Sequence, residues 1–174
     1  MNAPANKFGA AFPVAAAVLV LDQLTKLAVL GAFSLHEVRP VVPGLFNLTY
    51  VRNTGAAWGL FSGMNLALAV LALLISVLLV VFRARIFPPS RLSAPALGLL
   101  LGGILGNFFD RVRYDYVVDF LDFYWRNSHF PSFNVADSAI CIGVVLFCLA
   151  SFLAPRRDHL PPQPPDGLPL PKRP

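Results

Sequence analysis

Charge is what this chain has least of. Of its 174 residues, 13% are Asp, Glu, Lys or Arg, about half the roughly 25% usual in soluble proteins. Hydrophobic residues make up 56% and mean hydropathy is +0.65, so the composition is that of a membrane protein and excludes a soluble globular one. Histidine is as sparse: His36, His129 and His159 are dispersed and no HExxH helix exists, which argues against a zinc site. No GxSxG elbow is present, and no basic run is interleaved with aromatics to suggest nucleic acid. The two cysteines, Cys141 and Cys148, stand seven apart on one expected helix, about 10 Å by rise alone and too far for a disulfide. They are expected to be apolar packing residues. There is no internal repeat, and the length suits one functional unit.

What the chain has instead is long apolar runs. Four approach the roughly 20 residues that cross a bilayer: Phe12 to Phe33, Leu66 to Phe82, Ala94 to about Val112, and Val135 to Leu153. The first is not a cleaved leader, because Asp22, Gln23, Thr25 and Lys26 interrupt what would be its apolar centre. With both termini cytoplasmic, eight of the fourteen Lys and Arg residues lie inside, including the short basic loop Arg83 to Arg91. The net charge of +5 then reflects orientation first and attraction to anionic lipid second.

Between the first two spans, Val38 to Phe61 is β-prone and broken by Pro43-Gly44, a turn signal. The expected fold is therefore an all-α membrane protein of four transmembrane helices, with a small β-rich extracytoplasmic segment between helices 1 and 2. Trp58, Tyr124 and Trp125 suit the membrane interface. Gly98, Gly102 and Gly106, four apart on the third span, form a stripe that lets a neighbouring helix approach closely. The domain expected is 1–154, followed by a proline-rich disordered cytoplasmic tail, 155–174.

The few charges cluster. Asp22 and Lys26 have the acid-first spacing of a helical ion pair, and each alone would be costly in a span, so pairing and function are both open for them. Asn107, Asp110 and Arg111 share a face, either as a scaffold in which Asp110 supports Arg111, or with Arg111 holding a substrate group. Asp115 and Asp122 read as solvated loop charges. Asp137 is at the third position of a helix that Asn134 would cap, where a carboxylate suits the positive end of the dipole. Asp119 follows the third span and Asp137 opens the fourth, so an antiparallel hairpin brings both to one membrane edge. Two carboxyls sharing a site hold one proton between them, and such a pair can activate water and protonate a peptide carbonyl. A small transporter or proton-conducting subunit, a lipid-binding scaffold, and Ser138 as a nucleophile are the competing readings.

"DQLTK" at Asp22 to Lys26, "NLTYVRNTGAAWGLF" at Asn47 to Phe61, "GGILGNFFDRVRYDYVVDF" at Gly102 to Phe120 and "FNVADS" at Phe133 to Ser138 resemble, in order, the blocks of lipoprotein signal peptidase, signal peptidase II. The resemblance implies an aspartic endopeptidase of the bacterial inner membrane. Its active site would lie near the extracytoplasmic face, and it would cut prolipoproteins just before a diacylglyceryl-modified cysteine. No cofactor and no metal are expected. Asp119 and Asp137 match the catalytic pair. Asp22, Asn53, Gly55, Asn107, Arg111 and Asn134 match residues that position substrate or the inhibitor globomycin, while Lys26 and Asp110 match structural polar positions. Trp58 stands where phenylalanine is more common, and the tail is longer than a minimal member needs.

Overall fold

The computed structural model describes residues 8–55 and 60–154. The expected positions of Trp58, Lys7 and the tail fall outside them. Four helices are long and apolar enough to span a bilayer: α1 (Ala11–Ala32), α2 (Asn65–Ile86), α3 (Ser93–Tyr114) and α4 (Val135–Leu153). They lie where the apolar runs placed them. α2 continues past Phe82 to Ile86, with Arg83 and Arg85 in its last turn, where cations suit the negative end of the dipole.

α3 is the central helix, 61% buried against 11–22% for the others, and α1, α2 and α4 pack around it. Apolar burial cannot drive helix association in lipid, so close backbone approach has to supply the packing. A Cβ at Gly98 or Gly102 would lie 2.5 or 2.7 Å from the carbonyl oxygens of Ala11 and Ala15 on α1, and one at Gly103 would run into that of Ala136 on α4. The glycines thus serve two faces, not the single stripe their spacing suggests. Gly106 sits at the seam, where a Cβ would meet both the Asp22 carboxylate and Ala136.

The strand-rich segment is real but is only half of a sheet. β1 (Val38–Val42) and β2 (Phe46–Asn53) form a hairpin at the Pro43-Gly44 turn, and Gly44 adopts φ +84°. β3 (Val117–Trp125) and the short β4 (Ser128–His129), both from the α3–α4 connection, complete the antiparallel order β1-β2-β3-β4. β2 pairs Val51 with Asp119 and Asn53 with Val117. The sheet docks on the end of α1 through Val29, Tyr50, Val118 and Phe120. The exposed outer edge, β1, carries Pro40 and Arg39, which discourage further strand pairing.

Two local expectations change, at Asp122 and at the cysteines, while Asp115 is solvated as expected. Asp122 is not a solvated charge: it is 5% exposed and its carboxylate accepts from Asn47 Nδ2 and contacts His129 Nδ1, both at 2.8 Å. Alternation along β3 turns it inward. Asp115 is exposed, and ends α3 in the left-handed conformation at φ 64°. Cys141 and Cys148 are exposed on α4 and unpaired, because their side of the helix does not face α3.

Candidate active site

The site is assembled from four elements held by one buried lysine. Lys26, 1% exposed, spends its three ammonium protons on three acceptors at 2.9 Å: Asp22 one turn back on α1, and Asp110 and Asn107 on α3. Asp22 and Asp110 are themselves 0% and 1% exposed, so removing any one of the three charges would strand the others in a medium that solvates them poorly. The Asp22–Lys26 pairing read from spacing is present. Asp110, however, is bound to Lys26 and to Gln23 Nε2 at 2.9 Å, rather than hydrogen-bonded to Arg111. Gln23, which drew no notice in the sequence beyond its polarity, also donates to the Gly106 carbonyl at 3.2 Å and so ties α1 to α3.

Each carboxylate of this cluster reaches one step further. Asp22 Oδ1 accepts the backbone N–H of Ala136 at 2.9 Å, and Asp110 Oδ2 accepts that of Val118 at 3.0 Å. Those are the residues immediately before Asp137 and Asp119. A single ionic cluster therefore fixes the backbone beside both acids, one at the start of α4 and the other on β3. Asp22 has no exposure and does not line the cavity, so it acts on that space only through α4.

Asp119 and Asp137 both line a cavity of about 1020 Å³ between the sheet, α3 and α4. Three carboxamides point donors at them. Asn53 Nδ2 donates to Asp119 Oδ2 at 3.0 Å, Asn134 Nδ2 to Asp119 Oδ1 at 2.7 Å, and Asn107 Nδ2 to Asp137 Oδ1 at 2.7 Å. Each amide is held in that sense by a donor on its oxygen: Gly55 N for Asn53, Asp137 N for Asn134 and Lys26 Nζ for Asn107. Asn134 and Asp137 also close a reciprocal capping box on α4, with the Asn134 N–H donating to Asp137 Oδ2 at 3.2 Å. The sequence indicated that cap; it could not indicate that the same Asn134 side chain reaches Asp119.

Asp119 is 2% exposed, and burial, reinforced by the charge of Asp137, pushes its carboxyl up to about 7. Arg111 completes the polar wall. It donates to the Gly55 carbonyl at 2.8 Å, and its buried Nε has no partner among the described residues. Asn65 Nδ2 holds the Arg111 carbonyl at 3.0 Å. Of the expected site residues, Asn53, Gly55, Asn107, Arg111, Asp119 and Asp137 line the cavity, and Asn134 bridges the acids from beneath. Sequence reasoning missed the opposite wall, where Phe130, Phe133, Ile140 and Cys141 are apolar. It also missed Thr54 and Ser62, which line the cavity and whose hydroxyls bond to each other at 3.0 Å. Nothing in their local pattern marks them, because the sheet and α4 bring them together from afar. Among the described residues no group of acids, histidines or cysteines is arranged to hold a metal ion.

Four apolar spans and a cavity holding paired carboxyls at one end of the bundle define a membrane protein with a two-acid site. The chain belongs to the signal peptidase II family, whose model matches residues 14–153. It is 44% identical over 149 residues to the lipoprotein signal peptidase of Geobacter metallireducens, covering 83% of this chain and 91% of that one. It is 46% identical over 143 residues to that of Syntrophotalea carbinolica, covering 80% and 88%. Two solved structures described as a bacterial membrane enzyme, both 35% identical, superpose with TM-scores of 0.75 and 0.72. They cover 83% of this chain in each case, and 88% and 94% of their own.

Proposed function

We propose that this chain is an intramembrane aspartic endopeptidase of the bacterial inner membrane, cutting prolipoproteins at the bond before the diacylglyceryl-modified cysteine and so releasing the signal peptide. The observation that carries the reading is the convergence of Asp119 and Asp137, from a strand and a helix, on one cavity in which fixed carboxamides aim donors at both. Burial favours one shared proton. The ionised carboxyl takes a proton from water as its oxygen attacks the scissile carbonyl carbon, and the protonated one donates to the carbonyl oxygen. Collapse of the tetrahedral intermediate returns a proton to the departing nitrogen as the C–N bond breaks. The Nε–H of Arg111, without a partner among the described residues, is a donor for a substrate carbonyl, and the apolar wall suits an acyl-bearing cysteine. The same residues would meet globomycin. Both termini are cytoplasmic and the sheet is extracytoplasmic in this reading.

The test uses detergent-purified protein and a diacylglyceryl-modified prolipoprotein, following loss of the signal peptide on a gel. Asp119→Asn and Asp137→Asn should each lower the rate by 10³-fold or more, on the order of removing a group that acts as part of a unit. Cleavage by either folded variant at a rate comparable to wild type would overturn the two-acid mechanism.

A further inference from the structure

Resting on that two-acid reading, we infer that Lys26 is a positioning residue which, through Asn107, makes Asp137 the ionised member of the pair and leaves the proton on Asp119. The two acids each accept two hydrogen bonds, but their donors differ in what stands behind them. The Asn107 amide that donates to Asp137 Oδ1 at 2.7 Å receives the Lys26 ammonium on its own oxygen at 2.9 Å. A cation on the carbonyl side polarises the amide and strengthens its N–H donor, so the bond to Asp137 is assisted by a charge that never touches it. The other donor to Asp137 is the backbone N–H of Asn134 at the positive end of α4.

The Lys26 charge also favours ionised Asp119 through space, but Asp119 has no donor with a cation on its carbonyl side. Its donors are the amides of Asn53 and Asn134, whose oxygens are met by the neutral backbone N–H groups of Gly55 and Asp137. It sits on a strand, which has little dipole to offer. Among the described residues the charged groups around Asp137 are Lys26 and Asp22 from α1, Arg111 and Asp110 from α3, and Asp119 from β3. Arg111 favours charge on both acids, on Asp137 somewhat more than on Asp119. Asp22 opposes Lys26 at Asp137 and does so more weakly. Asp119 is 2% exposed, and burial together with the Asp137 charge pushes its carboxyl up to about 7.

The roles follow. Asp137 accepts the proton of the attacking water while Asp119 delivers its proton to the carbonyl oxygen. As the C–N bond breaks, Asp137 hands its proton to the leaving nitrogen and the collapsing hydroxyl restores that of Asp119.

The experiment is the pH dependence of kcat/KM for wild type and Lys26→Gln on the diacylglyceryl-modified substrate. Because Lys26→Gln strands two buried carboxylates, Lys26→Gln/Asp110→Asn is measured beside it. That double variant keeps the formal charge of the cluster at −1 (Asp22, Lys26 and Asp110 together in wild type; Asp22 alone in the variant). The acid limb, which reports ionisation of Asp137, should move up by about one pH unit or more, and the alkaline limb of Asp119 should move less. A profile merely scaled down, with both limbs in place, or a shift of the alkaline limb instead, would overturn the assignment. Asp119→Asn and Asp137→Asn run in parallel separate the two failures. If either still cuts, the two-acid reading itself falls; if both are inactive while the Lys26 limbs stay put, only the role of Lys26 does.

Discussion

At the scale of single residues, burial of Asp119 has a consequence beyond the catalytic role proposed for it. Its ordinary value is 3.8 and burial with the neighbouring Asp137 raises it to about 7, so the folded state binds that proton more tightly than the unfolded chain does. The stabilising contribution is complete below about pH 3.8, declines as pH rises, and is lost above about 7. The difference is at most about 4 kcal/mol at 1.36 kcal/mol per pH unit, and it belongs to the pair rather than to one acid. Thermal unfolding in detergent at pH 5 and pH 8 should therefore show a steeper loss of stability for wild type than for Asp119→Asn. Equal slopes would mean that Asp119 is ionised throughout. Asp119 and Asp137 were both legible in the sequence, since a carboxylate is conspicuous among apolar neighbours. Asp122 was not: whether a loop aspartate meets water depends on strand register, and β3 turns it toward Asn47.

At the scale of elements, the packing of α3 rests on what its glycines omit. A Cβ at Gly106 would lie 2.5 Å from Asp22 Oδ2 and 3.2 Å from the Ala136 Cβ, whereas one at Gly31 on α1 meets nothing within 4 Å. Gly106→Ala is expected to destabilise by about 1–3 kcal/mol, the usual range for overpacking. It should also slow cleavage, because displacing Asp22 frees the N–H that anchors the start of α4. Gly31→Ala should be neutral or stabilising by up to about 1 kcal/mol. Melting temperatures and cleavage rates of the two variants check this. Identical behaviour would deny Gly106 any special role. The four helices themselves were readable from apolar run length, and so was the α4 cap. The sheet was readable only in part: β1 and β2 are adjacent in sequence, but β3 and β4 arrive after α3, and non-local strand pairing leaves no mark in a local pattern.

At the scale of the whole molecule, the basic loop after α2 and the sheet lie at opposite ends of the bundle. With the proposed orientation, a cysteine at Arg39 on the exposed strand β1 should react with a membrane-impermeant thiol reagent in intact cells with a permeable outer layer. One at Arg85 should react only after lysis. The measurement is made in a background lacking Cys141 and Cys148, and the reverse pattern would invert the topology. It tests the positive-inside bias directly, which rests on the placement of Arg83, Arg85 and Arg91 more than on the overall count.

By itself the sequence determined that this is a four-span membrane protein, that the carboxylates flanking its third and fourth spans gather near one edge, and, through four ordered blocks, which family it resembles. These are properties of run length, spacing and residue identity along the chain. Only the tertiary structure decided what holds the acids. Lys26 is 81 positions from Asn107, Asp22 is 114 from the Ala136 N–H, and Gly55 is 56 from Arg111. Contacts that distant are created by packing α1 and α4 against α3 and closing β3 onto β2. The buried cluster exists because a low-dielectric interior makes each of its charges dependent on the others.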